Sequence, residues 1–247
     1  MGIRSDMTYS GLTLPHAIIF DWDLTLVDNW LSVQESLNVA RSAYGLETWD
    51  LETSKKCCNQ PLRKSFPLWF GDDWKRAQKI FYENYNKTHL KLLKAMPGAE
   101  DLLRWLKDQS IPAFIVSNKQ GKPLRQEAEH LQWIHFFAAI VGSMDAERDK
   151  PERAPVDKAL QSAGMKADDP SIWFVGDSES DVKCARNAGC TAVLIDRDPH
   201  AKLLNPDLTF SDCHELQSLL YSLANNNKSL KEANYERSSS KRAGRIS

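Results

Sequence analysis

The chain alternates short apolar runs with amphipathic helical stretches, and that alternation narrows its possible folds more than any other feature. Apolar runs occur at Ala17–Phe20 (AIIF), Ile111–Val116 (IPAFIV), Ala138–Val141 (AAIV), Ile172–Val175 (IWFV) and Thr191–Ile195 (TAVLI), with Asp207–Phe210 as a sixth candidate. Between them, Leu102, Leu103 and Leu106 fall at helical spacing, as do Leu124, Ala128 and Leu131. Val156, Ala159, Leu160 and Ala163 run up to the stop residue Gly164, and Val182, Ala185 and Ala188 run up to Gly189. Continuous apolar strands separated by helices of roughly ten residues predict βαβ units and a parallel sheet. Such sheets bind ligands beyond the carboxyl ends of their strands, so the residues just past each run carry the functional question.

One segment interrupts the alternation. Between Asn29 and Met96 the pattern is helical, and no strand is expected there. Trp30, Val33, Leu37, Ala40 and Tyr44 share a helical face, with Asn29 as N-cap and Gly45 as stop. A second helix is expected from about Trp74 to Leu93. The segment reads as a helical insertion after the first strand. The predicted boundaries are a sheet core over 15–28 and 96–222, an insertion over 29–95, an N-terminal arm over 1–14 and a tail over 225–247. The tail holds six Lys or Arg against two Glu and few apolar residues, which predicts a disordered basic appendage.

Composition excludes several classes. With 247 residues, 42% apolar and 26% charged, the chain is neither fibrous nor wholly disordered. Its 32 basic and 33 acidic residues leave a net charge of −1, so no overall basic excess points to nucleic acid. No uncharged apolar stretch of ~18 residues is present to span a membrane, and no signal-peptide pattern opens the chain. The five cysteines contain no Cys-x-x-Cys. Reduced thiols in a reducing compartment, and hence a cytoplasmic protein, are expected.

Four strand-tip or loop positions carry chemistry. Asp21-Trp22-Asp23 offers two carboxylates two residues apart, a nucleophile and a proton donor for one site, although Asp-x-Asp also arises by chance in loops. Ser117-Asn118 offers a hydroxyl and an amide to a phosphate oxygen, or a plain turn. Lys150-Pro151 offers a cation, or a solvated side chain. After Gly176, Asp177 and Asp181 lie one helical turn apart and point into one crevice. Oxygen-only ligands of that kind suit Mg²⁺. Acidic residues facing a helix N-terminus explain Glu179 as well, and Asp177 with Asp181 less well.

In order and placement these motifs resemble the haloacid dehalogenase superfamily in its phosphatase branch: Asp21-x-Asp23-x-Thr25, Ser117-Asn118, Lys150-Pro151 and Gly176-Asp177-x-x-x-Asp181. The resemblance covers about His16 to Leu220, and phosphoglycolate-phosphatase-like members look most similar. It implies an α/β fold, a Rossmann-like parallel sheet core with an inserted α-helical cap domain. It also implies an Mg²⁺-dependent phosphatase hydrolysing a small phosphate monoester through an aspartyl-phosphate. Asp21 would be the nucleophile. Asp23 would be the general acid and base, oriented by Thr25, and its main-chain carbonyl a metal ligand. Ser117, Asn118, Lys150 and Thr25 would surround the phosphoryl group, with Lys150 also counted as catalytic. Asp177 and Asp181, with Asp21 and Asp23, would hold the metal.

The expected partner is a small phosphorylated metabolite, with no membrane and no nucleic acid. A sugar phosphomutase of the same superfamily and a non-catalytic binding module on the same fold are the alternatives. One position departs from the family pattern: Leu24 stands where glycine is common, and a leucine there is expected to keep an ordinary φ and narrow the site. Within the insertion, Pro61 and Pro67 bracket Arg63 and Lys64. That pattern predicts a stiff loop from which Arg63 clamps the leaving group.

Overall fold

The computed structural model describes residues 11–58, 62–195 and 203–226, and only the backbone of Arg63. Six strands form one sheet: β1 (Ala17–Phe20), β4 (Ala113–Gln120), β5 (Phe137–Ser143), β6 (Ile172–Gly176), β7 (Thr191–Ile195) and β8 (Leu208–Phe210). Their order is β5-β4-β1-β6-β7-β8, and every neighbouring pair is parallel. β1 is central. Ile18 and Phe20 join the hydrophobic cluster on one face of the sheet, and Ala17 and Ile19 join the cluster on the other. Burial on both faces explains why these strands read as unbroken apolar runs rather than alternating ones.

Helices α5 (Ala99–Asp108), α6 (Gly121–His130), α7 (Ala154–Gln161) and α8 (Glu179–Asn187) connect the strands. A last helix, α9, covers 213–226. It buries Leu216, Leu220, Leu223 and Ala224, so it extends past residue 222, the expected end of the core, and takes in Asn225 and Asn226 of the expected tail. The rest of that tail, 227–247, lies outside the described residues, as does 1–10 of the N-terminal arm; Leu12 and Leu14 of the arm pack against the core.

The insertion forms α1 (Trp30–Ala43), α2 (Leu51–Cys57), α3 (Leu62–Phe70) and α4 (Trp74–Leu92). Leu37, Ala40, Phe66, Phe81 and Tyr85 are buried in a hydrophobic cluster of its own. Two expectations fail here. A two-residue strand, β3 (Lys94–Ala95), lies within the stretch expected to hold none, and pairs antiparallel with β2 (Val27–Asp28). The two chain segments entering and leaving the insertion thus run side by side, and each strand is too short to show a period of two in the sequence. Pro67 lies inside α3 rather than in a loop. The apolar residues Phe66 and Phe70 around it bury against α4, and that packing overrides the proline signal. Pro61 and the Arg63 side chain lie outside the described residues.

Candidate active site

The loop after β1 folds back on itself. The Leu24 N–H donates to the Val27 carbonyl at 2.7 Å, and the N–H groups of Leu26 and Val27 donate to the Trp22 carbonyl at 2.9 and 3.1 Å. That tight turn holds Leu24 at φ 61°, in the left-handed region. The ordinary φ expected of a leucine is therefore corrected: the turn dictates the angle, and Leu24 adopts it at a cost of roughly 1–2 kcal/mol. The same turn brings the carboxylates of Asp21 and Asp23 into one cavity of about 470 Å³, which Ser117, Asn118, Lys150 and Asp177 also line.

The first charge cluster centres on Lys150. Its Nζ lies 2.7 Å from Asp21 Oδ1 and 2.6 Å from Asp181 Oδ1, and all three residues are buried. Burial alone would drive the lysine toward its neutral form, but Asp181 and Asp21 outweigh it and raise its pKa. Asp21 is pushed up to about 6 from 3.8, by burial first and by Asp181 and Asp23 further, against the pull of Lys150. Asp177 is raised well above the carboxylate range by burial and by the charges of Asp181 and Asp21.

Carboxylate oxygens of Asp21, Asp177 and Asp181 come within 4.8 Å of one another. Gly176 makes this possible, because a Cβ there would lie 2.3 Å from the Asp181 carboxyl carbon. Asp181 also caps its own helix, its Oδ2 accepting from the Ser178 N–H at 3.0 Å and the Ser178 hydroxyl at 2.5 Å. A donor set made only of oxygen, crowded enough to raise the proton affinity of Asp21 and Asp177, fits a hard divalent cation such as Mg²⁺.

The second cluster has no counterpart in the sequence reading. Lys119 Nζ lies 2.7 Å from Asp23 Oδ1 and 2.6 Å from Glu127 Oε2. Glu127 on α6 is fully buried. Its Oε2 also accepts from Trp22 Nε1 at 2.7 Å. Its Oε1 accepts from Asn29 Nδ2 and the Tyr85 hydroxyl, both at 2.8 Å, and lies 2.8 Å from His89 Nδ1. Burial pushes Glu127 up, but Lys119, His89 and Trp22 prevail and hold its carboxyl at about 2. Asp23 is raised by burial, Lys119 opposing and Glu127 reinforcing. Tyr85 and His89 belong to α4, so one carboxylate ties the insertion to the lysine that holds Asp23.

The remaining expected site residues fall as follows. Ser117 and Asn118 lie within β4, which runs on to Gln120, rather than at its tip. The Ser117 hydroxyl accepts from the Lys119 N–H at 3.2 Å, and the Asn118 amide donates to the Lys150 carbonyl and the Ser180 hydroxyl, both at 3.4 Å. Asn118 Oδ1 is buried without a partner among the described residues. The Thr25 hydroxyl donates to Asp177 Oδ1 at 3.4 Å, so it faces Asp177 rather than the expected Asp23. Asn29 takes the N-cap position of α1 without capping it; Asp28 Oδ1 accepts the Trp30 N–H instead, and the Asn29 amide is free for Glu127.

Two signals for the missed cluster were present in the sequence. Glu127 is a charged residue between Leu124 and Leu131 on the apolar face of its helix, and His89 ends the buried stripe Ala77, Phe81, Tyr85 of α4.

A family model described as haloacid dehalogenase-like hydrolase matches residues 18–195, well over half of the chain. The chain belongs to that family. This haloacid dehalogenase-like hydrolase is 28% identical over 214 residues to a phosphoglycolate phosphatase of Chromobacterium violaceum, covering 83% of this chain and 96% of that one. Among solved structures it resembles a HAD-superfamily hydrolase from Ehrlichia chaffeensis, with 28% identity, a TM-score of 0.61 and coverage of 86% and 99%. A predicted phosphoglycolate phosphatase from Haemophilus somnus shares the fold at a TM-score of 0.76 and 23% identity, over 85% of this chain and 99% of that one. The hydrolase fold thus has phosphatases among its relatives, and among the described residues no helix is long and apolar enough to cross a membrane.

Proposed function

We propose that this hydrolase cleaves a small phosphate monoester through an aspartyl-phosphate on Asp21, with Mg²⁺ as cofactor. The observation that carries the reading is the pair of lysine-centred clusters on one cavity, which sets Asp21 and Asp23 in different surroundings. Lys150 keeps the Asp21 carboxylate ionised despite its burial. A carboxylate oxygen of Asp21 attacks phosphorus, the ester P–O bond breaks, and the leaving oxygen takes the proton of Asp23. Asp23 then removes a proton from water as that water attacks phosphorus, and Asp21 is released. Asp21, Asp177 and Asp181, with the Asp23 main-chain carbonyl, would hold Mg²⁺, which when bound neutralises the acids and the charge on the phosphoryl oxygens. Ser117, Asn118 and Lys150 bind those oxygens, and Thr25 steadies Asp177. The helices of 29–95 act as the cap over the site. All five cysteines are free, which supports a reducing compartment and a cytoplasmic enzyme.

The test is phosphate release from a panel of phosphate esters with and without EDTA, together with mass spectrometry of acid-quenched enzyme. Metal-dependent release and a phosphoryl adduct on the peptide carrying Asp21 are expected. Transfer of the phosphoryl group to a sugar phosphate rather than water would make the protein a mutase, and an adduct elsewhere would reject Asp21.

A further inference from the structure

The cavity over the carboxylates has two unlike halves. The sheet supplies a polar, charged floor. The insertion supplies Trp30, Trp74, Phe81, Tyr82 and Tyr85, together with Gln78. Among the described residues, no side chain on this upper half carries a charge. Its Tyr82 hydroxyl and Cys58 thiol stay protonated at neutral pH, since burial pushes each up to about 12. The lysines that line the cavity, Lys119 and Lys150, are each already held between two carboxylates.

These facts bear on the leaving group. A second anionic group on the substrate, such as the carboxylate of a small phosphorylated acid, would give up water for an aromatic wall whose described lining residues include no free cation. Burying such a charge unpaired is costly. A flat ring would instead meet indole and phenol faces, where edge and stacked contacts add to the area buried. The volume of about 470 Å³ lies in the range of roughly 300–1,000 Å³ typical of ligand pockets, and a two-carbon leaving group would leave most of it to water.

The wall also offers unused polar groups. Trp30 Nε1 is buried and has no acceptor among the described residues. The Gln78 carboxamide and the Tyr82 hydroxyl make no hydrogen bond among the described residues. A purely apolar ring would leave the indole donor unpaired, whereas a heteroaromatic ring with acceptors on its edge would satisfy it.

We propose, resting on the phosphatase reading above, that the substrate is a phosphate monoester whose alcohol carries a heteroaromatic ring with hydrogen-bonding edge atoms. The experiment compares kcat/KM of the Mg²⁺-loaded enzyme for adenosine 5′-monophosphate, pyridoxal 5′-phosphate, 2-phosphoglycolate and glycerol 3-phosphate. Acetyl phosphate, which has no ring, reports phosphoryl transfer alone. At least one ring-bearing ester should exceed 2-phosphoglycolate and glycerol 3-phosphate by about tenfold or more. Trp74→Ala and Gln78→Ala should each lower the ratio of that ester to acetyl phosphate by about fivefold or more. A preference for 2-phosphoglycolate or glycerol 3-phosphate, or a ratio unchanged in both variants, overturns the proposal. Turnover of acetyl phosphate with ring-free esters preferred rejects the substrate class and keeps the phosphatase. No turnover of acetyl phosphate or of any ester rejects both.

Discussion

Replacing Glu127 by glutamine keeps the shape of the side chain and removes its charge, which isolates what the buried carboxylate does. Its two oxygens face five donor groups: Trp22 and Lys119 on one, Asn29, Tyr85 and His89 on the other. Whichever way the amide sits, its NH₂ meets at least two of them, and each buried donor left unpaired costs about 1–3 kcal/mol. Breaking a buried ion pair on one side costs about 3–5 kcal/mol.

Proton linkage gives a separate figure. Glu127 is held at about 2 against an ordinary 4.5, a difference worth roughly 3 kcal/mol at neutral pH. A loss of about 3–5 kcal/mol in a chain of this size lowers Tm by about 10 °C. The pH dependence checks the cause. A depressed carboxyl stabilises fully above about 4.5 and loses that stabilisation as pH falls through about 2, so by pH 3 less than half of the linkage contribution remains. Thermal melts of wild type and Glu127→Gln followed by circular dichroism at pH 7, 4 and 3 should show a gap that narrows on acidification. A gap under about 2 °C at pH 7, or one that holds constant to pH 3, would refute the argument.

Three further outcomes follow from the site. Lys119→Met removes the cation that holds Asp23 down and so raises Asp23 further; kcat should fall about 100-fold, and the acid limb of its pH profile should move to higher pH. A kcat within twofold of wild type would remove Lys119 from the reaction. Asp21→Asn should reduce turnover to background while Tm stays within a few degrees, and near-normal kcat would reject the nucleophile. Asp177→Ala should raise the Mg²⁺ concentration for half-maximal rate by about tenfold, and an unchanged metal titration would reject Asp177 as a ligand.

The sheet was legible because its inner strands are buried on both faces, so an unbroken apolar run such as Ile172–Val175 marks both the strand and the point where the chain meets the site. β4 was read short because Ser117, Asn118 and Lys119 are polar. Polarity in the last residues of a strand signals a turn, yet here it signals a strand entering the cavity. The insertion was legible as helical but not in its joints. Asn29 has the right type and place for an N-cap, and tertiary structure gave its amide to Glu127 instead. Pro67 has the right type for a loop and was absorbed into a helix by the burial of Phe66 and Phe70. Leu24 shows the same override in the backbone, where a closed turn sets the angle that the side chain must accept.

The site is legible by halves for a reason rooted in its charges. Each of its two lysines sits between two carboxylates, Lys150 between Asp21 and Asp181 and Lys119 between Asp23 and Glu127. All members of the first cluster follow strands or open helices of the sheet core, at the spacings that strand-tip chemistry imposes, and so they stand out in sequence. The second draws Glu127 from mid-helix on α6 and is completed by Tyr85 and His89 from α4, about 40 residues away in the chain. No local spacing encodes that meeting. Only a charge on an apolar stripe hints at it, because a buried carboxylate requires partners from somewhere. The arrangement has a mechanical consequence. Asp23 is coupled through one lysine and one carboxylate to a helix of the insertion, whereas Asp21 is held entirely by the core. On the proposed mechanism, displacing α4 would therefore perturb proton transfer before it perturbed attack on phosphorus.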